Sequence, residues 1–138
     1  IVALNSLCLQ VEDDFENEGH LLGVGYAQIT GTGNIRQRGI LQSQGDISLL
    51  GASLENSHLV SAGESLAVNF SKGLINTGVI SGQKNVALKA HSITNKTSDE
   101  ASSALIVSKN LGIDLTFQTL QNSGKISGRE FVSLRGIE

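Results

Sequence analysis

The sequence predicts an all-β chain, a parallel β-helix (solenoid) of about seven coils. Three observations predict it. The chain repeats itself every 19–20 residues, apolar and polar residues alternate with period 2 inside each repeat, and Gly or Asn punctuates the repeat at fixed places. A unit of that length is too short to bury a core alone and long enough for one turn of a stacked array.

The clearest copies are adjacent. LENSHLVSAGESLAVNFSKG begins at Leu54, and LINTGVISGQKNVALKAHS begins at Leu74. They agree at Leu54/Leu74, Asn56/Asn76, Val60/Ile80, Ser61/Ser81, Leu66/Val86 and Val68/Leu88. In chain order, Leu7, Leu9 and Val11 read as the closing strand of a truncated first unit. Full units then start at Phe15, Ile35, Leu54, Leu74, Ile93 and Leu120, in steps of 20, 19, 20, 19 and 27. The long step marks an insertion of about eight residues between Asn95 and Val107, after which Val107, Ile113 and Leu115 resume the pattern. Residues 96–106 are accordingly expected to form a protruding loop, polar in Lys96–Ser103, with the rod re-entered by Val107.

Within a unit the pattern predicts strand, turn, strand, turn, strand. Leu66-Ala-Val68-Asn-Phe70, Val86-Ala-Leu88-Lys-Ala90 and Ile113-Asp-Leu115-Thr-Phe117 alternate cleanly. Val60, Val68, Ile80, Val86 and Leu88 should point inward, and Ala67, Asn69, Ala87 and Lys89 outward. Asn-Thr-Gly, Ser-Ala-Gly and Asn-Ser-Gly supply the corners, where Gly and Asn reach positive φ cheaply.

Composition agrees with thin stacked units. Trp, Met and Pro are absent, aromatics are 4%, and 16 residues are Gly, so the interior must be built from Leu, Ile and Val. The net charge of −3 without a basic cluster argues against nucleic acid as a partner. No apolar run is long enough for a membrane-spanning helix. The single Cys8 excludes an internal disulfide, and its place between Leu7 and Leu9 predicts an outward thiol. The repeat fills the chain, which is expected to be one β-helix segment, residues 1–138, of a longer array.

The third position of each unit holds an amide: Asn17, Gln37, Asn56, Asn76, Asn95 and Asn122. Asn tolerates the left-handed backbone of a sharp corner. Amides stacked one coil apart can also donate and accept in series, so a structural ladder is expected. The competing reading is glycan binding or glycosylation, but the two glycosylation motifs, Asn69-Phe-Ser71 and Asn95-Lys-Thr97, fall in different phases of the repeat.

Leu54–Ala67, Leu74–Ala87 and Leu120–Ser133 share "L-x-N-S/T-G-x-I-S-A/G-G-x-x-x-L-x-L", with weaker matches at Phe15–Ile29 and Ile35–Leu49. This pattern resembles the haemagglutinin repeats of filamentous-haemagglutinin-like exoproteins, exported by two-partner secretion and including adhesins, haemolysins and contact-dependent growth inhibition exoproteins. The resemblance covers residues 15–138 apart from the insertion; His58 replaces the usual turn Gly. It implies a right-handed β-helix, secretion to a Gram-negative cell surface, and passage through an outer-membrane transporter. It further implies a stalk that carries a receptor-binding or toxin region toward a host or neighbouring-cell receptor or glycan, with no catalytic centre and no cofactor.

The enzyme alternative is a carbohydrate-active β-helix, which needs carboxylates converging from neighbouring coils. Glu12, Asp13, Asp14, Glu16 and Glu18 are consecutive instead, and Thr32, Gly33 and Asn34 one coil on carry no charge. A solvated acidic turn is preferred to a calcium site. His20, His58 and His91 fall at different phases, which argues against zinc. Gly23-Val-Gly25 and Gly31-Thr-Gly33 precede no helix and are turn glycines. No catalytic or metal-ligating residue is assigned.

Overall fold

A computed structural model describes residues 1–97 and 104–137. The described chain contains no helix. Its strands form three parallel sheets, and the chain visits them in strict rotation, so each strand pairs with its equivalent one coil on. The result is a β-solenoid, with seven strands in each of the first two sheets and six in the third. Hydrogen bonds between coils consequently run along the rod.

The interior consists of columns. In the first sheet Leu21, Leu41, Val60, Ile80, Ile106 and Ile126 stack in register. In the second sheet, Leu7, Ala27, Ile47, Leu66, Val86, Ile113 and Val132 form one column. Leu9, Ile29, Leu49, Val68, Leu88, Leu115 and Leu134 form the next. The third sheet stacks Phe15, Ile35, Leu54, Leu74, Ile93 and Leu120. From Ile35 to Leu115 these side chains are buried almost completely. Val60, Val68, Ile80, Val86 and Leu88 do point inward, while Ala67, Asn69, Ala87 and Lys89 are exposed. Ser6–Val11 does close a first partial coil, and Val2–Ala3 adds a first-sheet strand before it.

Two corners show how side-chain volume is fitted to the cross-section. Where the first sheet turns into the second, every coil carries a small residue: Gly23, Ser43, Ala62, Gly82, Ser108 or Gly128. A Cβ on Gly82 would come within 2.8 Å of Val86 Cγ2, so this corner has no room for branching. At the end of the second sheet, Phe70 is the largest fully buried side chain and lies beside Gly51, whose Cβ would come within 2.9 Å of Phe70 Cε1. A missing side chain in one coil thus accommodates a large one in the next.

The insertion falls at the corner between the third and first sheets, after Ser92–Asn95 and before Leu105–Ser108. Residues 98–103, the centre of the expected loop, lie outside the described residues. The rod is re-entered by Val107 as expected, but the phase differs by one position. Ile106, not Val107, stacks on Ile80 and is fully buried; Val107 pairs with Ser81. Leu105-Ile106-Val107 is an unbroken aliphatic run, so it carries no period-2 signal to fix which face turns inward. Ala104 is already fully buried, so the described stack is re-entered ahead of Val107.

Candidate functional site

The inner amide column is the most densely hydrogen-bonded group of side chains in the described rod. It lies at the ends of the third-sheet strands, where register aligns Asn17, Gln37, Asn56, Asn76, Asn95 and Asn122. Asn56, Asn76 and Asn95 are fully buried, and Asn17 and Gln37 nearly so. Asn17 Nδ2 donates to Gln37 Oε1 at 2.9 Å. Asn56 Nδ2 donates to Asn76 Oδ1, Asn76 Nδ2 to Asn95 Oδ1, and Asn95 Nδ2 to Asn122 Oδ1, each at 2.8 Å. The same amides hold the following corner: Asn56 donates to Val79 O at 3.0 Å, and Asn76 to Gly78 O at 3.1 Å. Every side-chain bond along the column is donated in the same direction, toward the later coil.

The series is interrupted once. Gln37 Nε2 donates to Gly39 O at 2.8 Å and Leu59 O at 3.1 Å and makes no bond to Asn56. Asn56 Oδ1 is left as the buried side-chain atom without a partner among the described residues. Gln37 keeps the bond to the next corner that Asn17 and Asn56 also make, to Ile40 O and Val79 O; its amide sits one methylene farther from the backbone than that of Asn, and it does not bond Asn56 Oδ1. The sequence pattern treats both amides alike and so misses the break. Asn95 sits inside the ladder, so the Asn95-Lys-Thr97 motif presents no accessible amide in the folded rod; Asn69 lies on the exposed outer face of the second sheet.

That outer face carries a shallow trough of about 420 Å³. Its polar lining includes Gln28, Thr30, Ser48, Asn69, Lys89 and Asp114, and its floor is formed by small residues such as Ala67 and Ala87. The sequence marked these positions only as solvent-facing; their alternation with buried neighbours was the available signal. The arrangement can offer hydrogen bonds to a ligand, but its two charged groups have opposite signs and no nucleophile–base pair is present among the lining residues.

The acidic corner is held by ordinary contacts. Asp14 Oδ1 accepts from the Asn34 backbone N–H at 2.8 Å. That bond lowers the Asp14 pKa from its usual value against an opposing effect of desolvation, with lesser help from the Asn34 side chain and the Arg36 charge. Glu16 pairs with Arg38 at 2.7 Å, and Glu18 lies 3.9 Å from the same guanidinium. Elsewhere Lys84 pairs with Glu64, and the hydrogen bond raises the lysine pKa. All these pairs are solvent-exposed and contribute little to stability.

Among the described residues, no three His, Cys, Asp or Glu side chains converge on a point that could hold a metal. His20, His58 and His91 are exposed in separate phases. Cys8 is exposed and free, with its Sγ 3.4 Å from the Tyr26 hydroxyl. No protein-family model, curated protein or solved structure matches this chain.

Proposed function

We propose that this chain is a stalk segment of a large secreted or surface-exposed bacterial adhesin or exoprotein, extending or presenting a receptor-binding or toxin region. The observation that carries the reading is the continuity of the inner columns from the first coil to the last. A cross-section repeated in register gives a stiff rod, and among the described residues every strand belongs to the stack. The haemagglutinin-repeat pattern in Leu54–Ala67 and Leu74–Ala87 supplies the biological setting: two-partner secretion through an outer-membrane transporter, with further repeats on either side.

Spin labels on exposed residues of the first and last coils test the spacer role. The expected result is one narrow distance distribution on the order of 30 Å, set by coils stacked about 4.8 Å apart. A broad distribution would show a rod too pliable to act as a stalk. The second-sheet trough favours a second reading, a glycan-binding segment. Saturable glycan binding by the isolated chain, lost in Lys89→Ala or Asp114→Ala, would replace the stalk reading with this one.

A further inference from the structure

Two Asn-x-Ser/Thr triplets occur in the chain, and the fold treats them in opposite ways. Asn95 lies fully buried in the amide ladder. Its Oδ1 accepts from Asn76, and its Nδ2 donates to Asn122 Oδ1 at 2.8 Å and to Lys125 O at 3.2 Å. That nitrogen cannot carry a substituent without breaking the column. Asn69 stands off the ladder. In Asn69-Phe70-Ser71 the strand alternation turns Phe70 into the core, 2% exposed, and leaves Asn69 and Ser71 exposed on either side of it. The amide and the hydroxyl of this triplet therefore both reach solvent. Asn69 is the last but one residue of Leu66–Phe70, so the triplet runs from the sheet into the corner ahead of Gly73–Asn76.

The surroundings of Asn69 have space for an added group. Register places it between Leu50 and Lys89 on the outer face of the second sheet. The neighbouring outward column at the same level is Ser48, Ala67 and Ala87, all small, and these residues line the trough. Leu50 is 44% exposed, an apolar side chain that the C–H face of a sugar ring lying along the trough would cover. Ser48, Gln28 and Lys89 border the same space and offer hydrogen bonds to sugar hydroxyls.

We propose that Asn69 is a site of N-glycosylation, carrying a short hexose glycan that lies in the second-sheet trough. The reaction substitutes the amide nitrogen. Asn69 Nδ2 forms a bond to the anomeric carbon of a nucleotide-activated hexose, and the bond from that carbon to the phosphate oxygen breaks. The nucleoside diphosphate leaves with that electron pair, and one amide proton passes to a base of the transferase. Ser71 supplies the hydroxyl that completes the acceptor triplet. A glycan is bulky and solubilising; on Asn69 it points away from the rod axis and leaves the ladder and the inner columns untouched. The assignment is independent of the stalk reading, and the attached sugar takes the trough that a receptor glycan would need.

Peptide mass mapping of the protein taken from the cells that make it tests this. The tryptic peptide ending at Lys72 should be heavier by one or more hexoses. The peptide ending at Lys96, which holds Asn95, should have its unmodified mass. Asn69→Gln and Ser71→Ala, made in the same cells, should each lose the added mass entirely, and Ser71→Thr should keep it. Thr97→Ala should leave the peptide ending at Lys72 as it was. Circular dichroism checks that each variant keeps its strands. An unmodified mass for the peptide ending at Lys72 in every molecule would overturn the proposal. So would an added mass that survives Asn69→Gln or Ser71→Ala, or a sugar on Asn95 of the folded protein.

Discussion

Gln37 and Asn56 occupy the same column with side chains one methylene apart, and only Gln37 fails to bond the next amide. The Gln37 amide reaches Leu59 O and Gly39 O, and Asn56 Oδ1 stays unpaired. Gln37→Asn should bring the donor back to Asn56 and complete the ladder, raising stability by about 1 kcal/mol. Asn76→Ala should act in the opposite sense, because it strips an acceptor from Asn56 and a donor from Asn95; the expected loss is about 1–3 kcal/mol. Asn69→Ala, exposed and off the column, should be nearly silent. Urea midpoints of the three variants check this order. A destabilised Gln37→Asn would mean that the buried methylene of Gln37 outweighs an orphaned acceptor. The column itself was legible in the sequence because five of its six amides are Asn at one fixed place. The break was not, since it depends on side-chain length rather than on polarity.

Strands show the same division between what pattern records and what volume decides. Leu66–Phe70 alternates strictly, and its phase could be read directly: Leu66, Val68 and Phe70 are buried, and Ala67 and Asn69 exposed. Leu105–Ser108 begins with three aliphatic residues, and there the phase was legible only to within one residue. The corner column of Gly23, Ser43, Ala62, Gly82, Ser108 and Gly128 was present in the sequence as a run of small residues. Its cause, the close approach of neighbouring chain, appears only in three dimensions. Adjacent positions of Val86–Lys89 test the phase. Leu88→Asp would bury an unpaired carboxylate between Val68 and Leu115 and should cost several kcal/mol, roughly 3 or more. Lys89→Asp, in solvent, should shift the unfolding midpoint hardly at all. Similar losses from both substitutions would place the strand in the wrong phase.

At the scale of the whole molecule, the columns make one continuous core in place of a centre with a periphery, so each coil depends only on its two neighbours. Fold and period were legible because the same constraint recurs in every coil; the outer trough was less so, because its residues come from successive coils and share no motif. The bonds that join the coils lie along the rod, and this gives the protein a mechanical character. A pull on the two ends loads those bonds in tension, a row at a time, in place of shearing a whole sheet at once. Stacked, a coil contributes about 4.8 Å of length; its roughly 20 residues drawn straight span about 65 Å. Stretching the chain between a surface and a probe should therefore yield a series of small releases of about that length, starting from the terminal coils. One abrupt release of the entire chain would contradict it. Under load, the rod behaves as a reel that pays out tether coil by coil, lengthening many-fold before its last turns are lost.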